Sequence, residues 1–140
     1  MPSNGEPGTV LSAEESWRLL EGSQFGRLAV SFTNTPDIYP LNFLAHGGLL
    51  FIRTNPGTKL AELAINPKVA FEADHTTTEE AWSVVVRGTA RILESQTEID
   101  AANELPLHNW IPTLKWTYVE ITPTSISGRR FALGPEPERY

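Results

Sequence analysis

The chain has 140 residues, of which 40% are hydrophobic, 20% are charged and none is cysteine, and its formal net charge is −6. This length favours one domain, and the acidic balance argues against a nucleic-acid partner, which would call for a broad basic surface. The lack of cysteine excludes thiolate catalysis, cysteine-ligated zinc and disulfides, and no apolar run approaches the ~20 residues of a membrane helix, so we expect no membrane association and a cytoplasmic location.

The N-terminal segment is predicted to be a flexible arm over residues 1–10, because it is rich in proline and glycine and shows no periodicity. Ser12 followed by Glu15 is typical of a capping box. We therefore expect a helix that begins after Ser12 and ends near Gly22.

Two strands are expected next. Residues 25–32 alternate between apolar and polar side chains, which predicts a half-buried strand. Asn34 to Asp37 is typical of a turn, and residues 38–45 are predicted to form the second strand. Pro40 and Asn42 share one face of that strand, and a proline there indicates that the segment is not paired on both sides.

The third predicted strand, Leu49 to Thr54, delivers Arg53 and Thr54 to its carboxyl end. A Pro-Gly turn follows, and a helix then begins beside Thr58 and Lys59. Helix starts carry unpaired N–H groups and a partial positive charge, which attract anions. Two cations and two hydroxyls at one corner favour a phosphate site, although charged residues beside a Pro-Gly turn are also common on solvated surfaces.

Further strands are predicted over residues 69–73, over 82–92 and over 116–121, with a possible extension of the last to residue 133. Helices are expected only at the periphery, so the fold class is mostly β: a six-stranded antiparallel split β-barrel with peripheral α-helices. This domain spans residues 11–133, and residues 134–140 form a C-terminal tail. Val84 to Val86 places apolar side chains on both faces of one strand, which predicts a homodimer.

Four motifs together resemble the flavin-binding split-barrel family related to pyridoxamine 5′-phosphate oxidase. In order they are Phe25-Gly26-Arg27-Leu28-Ala29, Tyr39-Pro40-Leu41-Asn42-Phe43, Phe51-Ile52-Arg53-Thr54 with Gly57-Thr58-Lys59-Leu60, and Trp82-Ser83-Val84-Val85-Val86-Arg87-Gly88. The similarity covers residues 11–133. No single motif is specific, but their order and spacing are.

The resemblance implies a dimer that binds one FMN in each of two clefts between the subunits. Arg53, Thr54, Thr58 and Lys59 would hold the FMN phosphate. The isoalloxazine ring would be bordered by the Asn42 side chain and by the backbone of Pro40, Leu41 and Asn42. The partner subunit would contribute Trp82 and Ser83.

The C-terminal part departs from the family. Relatives that oxidise pyridoxamine phosphate carry an arginine-x-histidine motif there, whereas this chain has Arg129-Arg130-Phe131 and no histidine after it. The vitamin substrate is therefore not expected, and the roles of Arg129 and Arg130 stay open. His46, His75 and His108 lack ligand spacing, so we expect no metal.

The sequence thus favours an FMN-dependent oxidoreductase acting on a small molecule, with no catalytic residue assigned because the flavin itself carries the redox chemistry. One alternative is a deazaflavin-dependent reductase of the same fold, whose more anionic coenzyme would use further cations such as Arg27 or Arg87. Another is a non-catalytic carrier or sensor that binds flavin or haem. A third is a barrel without any cofactor.

Overall fold

The computed structural model describes residues 8–55, 57–107 and 117–135. Its elements, in chain order, are β1 (Thr9–Leu11), α1 (Ala13–Glu21), β2 (Phe25–Phe32), β3 (Thr35–Asn42), β4 (Leu44–His46), β5 (Leu49–Thr54), α2 (Thr58–Ile65), β6 (Lys68–Thr76), β7 (Glu80–Ile92), α3 (Gln96–Asn103) and β8 (Thr117–Ala132). Within this part of the chain, no helix is long and apolar enough to cross a membrane.

The strands form one curled antiparallel sheet in the order β3-β2-β6-β7-β8-β5-β4, and β1 pairs with β8 beside this path. The main hydrophobic core lies on one face of the sheet, and both α1 and α2 contribute to it through Leu20 and Leu63. A second, smaller cluster around Phe51 and Tyr118 packs under α3 through Ala102. The predicted fold class, a mostly β antiparallel split barrel with peripheral helices, is confirmed.

The number of strands differs from the predicted six, since the described residues form eight. The strand predicted over 38–45 is two strands, β3 and β4, which separate at Phe43. The turn lies at Thr33 and Asn34, whose φ angles of 47° and 64° are typical of a two-residue hairpin. Pro36 had suggested a later turn, but β3 is an edge strand, where proline is tolerated.

The additional strand at the N-terminus is β1. Thr9 and Val10 belong to it and pair with Arg130 and Arg129 of β8, so the predicted arm 1–10 does not extend through these two residues. Residues 1–7 lie outside the described residues, as do 136–140 of the predicted tail. Backbone pairing to the long β8 strand orders a segment whose own sequence carries no periodic signal.

Helix α1 begins as predicted. The Ser12 hydroxyl accepts a hydrogen bond from the Glu15 N–H at 3.1 Å, and the Glu15 carboxylate accepts one from the Ser12 N–H at 3.1 Å. The helix lies close to β8 at Gly128, where a Cβ would stand 2.3 Å from the Ser16 hydroxyl oxygen. A residue larger than glycine at this position would force the Ser16 side chain or α1 itself to shift.

Candidate functional site

The corner between β5 and α2 begins with a helix start that no side chain caps among the residues the structure describes. Gly57 precedes α2 and supplies no capping hydrogen bond, and the first turn contains no acidic residue. At the starts of α1 and α3, by contrast, Ser12 and Ser95 cap the helix and a glutamate stands in the first turn. The amino end of α2 therefore keeps its partial positive charge and its N–H groups available to an anion.

Lys59 places a second positive charge at this corner. Its ammonium donates a hydrogen bond to the Thr54 hydroxyl at 3.1 Å, and its Nζ atom lies 5.1 Å from the centre of the Tyr39 ring. Burial lowers the pKa of the Lys59 ammonium. The structure thus joins two of the residues predicted for phosphate binding, Thr54 and Lys59.

Beneath Lys59 lies a polar pair, half-buried Tyr39 and buried Glu62, that the sequence analysis did not identify. The Tyr39 hydroxyl donates a 2.6 Å hydrogen bond to Oε1 of Glu62, a residue that is only 5% exposed. Helical spacing could have predicted that Glu62 lies near Lys59. Glu62 and Leu63 follow Lys59 by three and four positions, and these positions share one face of a helix. Because Leu63 is a core residue, that face is the buried one.

The other two residues predicted for the phosphate lie differently. Thr58 is the exposed first residue of α2. Arg53 pairs with Tyr118 across the sheet, whereas Thr54 pairs with Thr117, and consecutive strand residues point to opposite faces. Arg53 therefore leaves the sheet on the opposite face from Thr54, and its role at a phosphate stays a prediction.

The residues predicted to border the flavin ring lie at the open edge of the sheet. Leu41 is buried in the main core, so it offers a ligand only its backbone. Pro40 is exposed and Asn42 half-buried, and alternation places both on the outer face. The Asn42 amide donates a 3.1 Å hydrogen bond to the carbonyl oxygen of Gln24.

Trp82 and Ser83 lie on β7, three strands away from Asn42. Trp82 is 9% exposed and belongs to the main core, and it lines a cavity of about 510 Å³ together with Phe25 and His75. Ser83 is half-buried on the outer face.

Strand registers fix how far apart these two groups lie. Pro40 pairs with Arg27, Arg27 with Glu72, and Glu72 with Val85, so three strand spacings, about 14 Å along the sheet, separate Pro40 from Val85. Asn42 and Ser83 lie two residues beyond in the same direction. One chain therefore does not bring the Asn42 and Ser83 side chains to the same edge of one heterocycle.

The cations considered for a deazaflavin coenzyme have separate surroundings. Arg27 forms ion pairs with Glu72 at 3.1 Å and with Asp74 at 3.4 Å, and its guanidinium lies 5.7 Å from the centre of the Phe25 ring. The charges of Glu72 and then Asp74 raise the pKa of Arg27. Arg87 is exposed on β7. Two carboxylates thus already compensate one of the two candidate cations.

The two arginines near the C-terminus lie beside the tryptophan-serine motif. Arg129 is exposed and pairs across the sheet with Ser83, and Arg130 pairs with Trp82. The Arg130 Nε atom lies 3.7 Å from a carboxylate oxygen of Glu80. A ligand that contacts Ser83 would therefore lie next to Arg129.

Two of the three histidines, His46 and His75, are described, and both are exposed. His108 lies outside the described residues, together with Trp110 and Trp116. Among the residues that the structure describes, no group of three or more histidine, aspartate or glutamate side chains could hold a metal ion.

Comparison with known proteins finds relatives both among curated proteins and among solved structures. Among curated proteins, an uncharacterized protein of Mycobacterium tuberculosis is 38% identical over 96 residues, which are 69% of this chain and 87% of that protein. Among solved structures, a protein of Corynebacterium glutamicum proposed to be a pyridoxamine 5′-phosphate oxidase is 41% identical, with a TM-score of 0.83 over 93% of this chain and 98% of that one.

A second solved structure is the FAD-binding protein of Mycobacterium smegmatis. It is 42% identical, with a TM-score of 0.79 over 90% of this chain and 100% of that one. The family model described as pyridoxamine 5′-phosphate oxidase matches residues 12–130. This match spans most of the chain and every motif on which the resemblance rests, so the protein belongs to the pyridoxamine 5′-phosphate oxidase-like family.

Proposed function

We propose that this protein binds FMN between two copies of the chain and acts as a flavin-dependent oxidoreductase on a small molecule. The observation that carries the proposal is the Lys59 ammonium, held on the Thr54 hydroxyl beside an uncapped helix start. These groups suit a phosphate monoester, because a charged donor and backbone N–H groups point to the same corner. When bound, the isoalloxazine ring supplies the redox chemistry, and the protein holds and orients it.

A second copy of the chain is part of the proposal. Asn42 and Ser83 lie about 14 Å apart along one sheet, so a ring that meets both takes them from different subunits. Pro40 and Asn42 would then border the ring from one chain and Ser83 from the other, where Trp82, whose side chain lies in the core, would contribute its backbone. Arg129, which pairs with Ser83, would face the same cleft.

FMN is favoured over a deazaflavin coenzyme by charge. The longer, more anionic tail of a deazaflavin coenzyme calls for further cations. Of the two candidates, Arg27 is already paired with Glu72 and Asp74, which leaves the exposed Arg87. FAD carries a phosphate on the same ribityl chain, and the Mycobacterium smegmatis relative is named for binding it. Titration of the apoprotein with FMN, FAD, riboflavin and a deazaflavin coenzyme, followed by flavin fluorescence, compares all four directly.

The test of the phosphate site is Lys59→Ala. A charge-assisted hydrogen bond contributes about 1.5–3 kcal/mol, so we expect FMN affinity to fall roughly ten- to hundredfold while riboflavin affinity stays the same. Lys68→Ala is the matched control, since Lys68 is an exposed lysine just after α2. Equal FMN affinity in both variants would contradict the site.

The reactivity of the bound flavin distinguishes an enzyme from a carrier. An oxidoreductase should show bound flavin that is reduced by a nicotinamide donor in stopped-flow absorbance and reoxidised by an acceptor. A carrier or sensor would hold the flavin without such turnover. A purified protein whose visible spectrum shows haem instead of flavin would exclude the proposal altogether.

A further inference from the structure

The pair of half-buried Tyr39 and buried Glu62 has no part in the proposed chemistry and still places a carboxyl group in the interior. Glu62 is 5% exposed, and its Oε1 atom accepts the 2.6 Å hydrogen bond from Tyr39. Its Oε2 atom has no hydrogen-bond partner within the described residues. Burying a polar oxygen without a partner costs free energy, so the site calls for a compensating role.

The Tyr39 ring is in contact with the cation of the phosphate corner. The Lys59 Nζ atom lies 5.1 Å from the ring centre, inside the distance at which a cation is attracted to an aromatic face. The same Nζ atom donates to Thr54. A flexible lysine side chain is thus held from two sides, by β3 through the ring and by β5 through the hydroxyl.

Glu62 fixes the ring that holds the lysine. Tyr39 and Glu62 belong to β3 and α2, and their hydrogen bond ties the edge strand to the helix whose first turn contains Lys59. Without it, the Tyr39 ring could rotate away from the ammonium. The bond to Glu62 raises the pKa of Tyr39 to about 12, so the hydroxyl remains a donor to a higher pH than an ordinary tyrosine would.

We propose that Tyr39 and Glu62 are positioning residues: the Tyr39 ring holds the Lys59 ammonium toward the cofactor phosphate, and Glu62 holds the ring. This inference rests on the proposed function, because it concerns the same phosphate corner. A purely structural tie between β3 and α2 would affect folding and every ligand alike. A positioning role affects only ligands that carry the phosphate.

The experiment measures affinity for FMN and for riboflavin, which lacks the phosphate, and takes the ratio of the two as the phosphate preference. We expect Tyr39→Leu to lower this preference about tenfold, by removing the ring under Lys59. Glu62→Gln should retain it, because the amide oxygen still accepts the Tyr39 hydrogen bond. Glu62→Leu, which accepts no hydrogen bond, should lower it.

A double variant tests whether Tyr39 acts through Lys59. Tyr39→Leu combined with Lys59→Ala should show the same phosphate preference as Lys59→Ala alone. Tyr118→Phe is the control, because the Tyr118 hydroxyl donates a hydrogen bond of the same length, 2.6 Å, to Asn103, the last residue of α3. It should leave the phosphate preference at the wild-type value.

The outcomes separate this inference from the proposed function. A wild-type protein that binds FMN no better than riboflavin would overturn the phosphate site and the positioning role with it. A wild-type preference that survives Tyr39→Leu, or a loss of FMN and riboflavin affinity by the same factor, overturns the positioning role alone. If Tyr39→Leu does not fold, the phosphate preferences of Glu62→Gln and Glu62→Leu test the positioning role in the same assay.

Discussion

Lys59 gives the candidate site a distinctive pH dependence. Burial lowers the pKa of its ammonium below the ordinary value of 10.5. As the pH rises through this lowered pKa, the ammonium loses its charge, so the preference for FMN over riboflavin should decline at a lower pH than an exposed lysine would allow. Affinity titrations between about pH 7 and pH 10.5 measure this decline.

The arginine variant provides the comparison. Lys59→Arg should keep its phosphate preference over the same pH range, since an arginine side chain stays protonated up to about pH 12 or above. In the ligand-free protein the stability changes with pH in the opposite direction from the phosphate preference. Folding favours the neutral form of Lys59, so its contribution to the free energy of unfolding grows as the pH rises from the folded pKa of Lys59 towards 10.5. A phosphate preference that is flat with pH in wild type would contradict a role for the Lys59 charge.

Residue types and spacing predicted Lys59 and Thr54 as neighbours, because the turn between β5 and α2 is short and local. They did not predict Tyr39 as the third member, since its place beside Lys59 depends on how β3 and α2 pack together. Arg53 shows that residues next to each other in sequence need not lie in the same site. It is adjacent to Thr54 in sequence, but strand alternation directs the two to opposite faces.

At the scale of elements, the helix starts divide into two kinds. Ser12 and Ser95 cap α1 and α3, whereas α2 begins after Gly57 without a side-chain cap. A cap usually stabilises a helix start, so leaving one off at α2 costs stability. The uncapped start is consistent with a site kept open for an anion.

Removing a cap tests what the serines contribute. Ser12→Ala should lower the free energy of unfolding by about 1 kcal/mol, because the Glu15 N–H loses its acceptor. The hydrogen bond from the Ser12 backbone N–H, more than the one from its side chain, lowers the pKa of Glu15, and alanine keeps that N–H. The stability contributed by the Glu15 carboxylate should therefore be present near neutral pH and decline in both proteins as the pH falls through that lowered pKa. Urea unfolding of Ser12→Ala and wild type at pH 7 and at pH 3 measures both effects.

Ser125→Ala serves as the matched control, since Ser125 is exposed on β8 rather than at a helix start. It should change the free energy of unfolding by no more than about 0.5 kcal/mol. A Ser12→Ala protein as stable as this control at neutral pH would show that the capping box contributes nothing in solution.

For the whole molecule, local patterns predicted where strands lie but not how they pair. The alternation in β2 was visible in the sequence, and the capping box located α1. The pairing of β8 with both β7 and β5 joins segments far apart along the chain, and no local pattern carries that information. The same pairing orders β1, which the sequence alone assigned to a flexible arm.

The prediction of a homodimer rests on apolar side chains on the outer face of this sheet. Val85 is half-buried there, between Glu72 of β6 and Ser127 of β8, and Ile38 on the edge strand is 66% exposed. We expect Val85→Arg to shift the protein from dimer to monomer, because taking a guanidinium out of water into an interface costs several kcal/mol even beside a carboxylate such as that of Glu72. Light scattering over a range of protein concentrations measures the shift.

The same variant tests whether the cofactor site needs two chains. Val85 is not one of the predicted phosphate-binding residues, so a monomeric Val85→Arg protein retains every phosphate-binding group of one chain but lacks the partner's Trp82 and Ser83. We expect its FMN affinity to fall along with dimer content, whereas Ala101→Arg, on the exposed side of α3, should leave both unchanged. A monomer that binds FMN as tightly as wild type would place the whole cofactor site within one subunit, and the 14 Å between Asn42 and Ser83 would then exclude one of them from it.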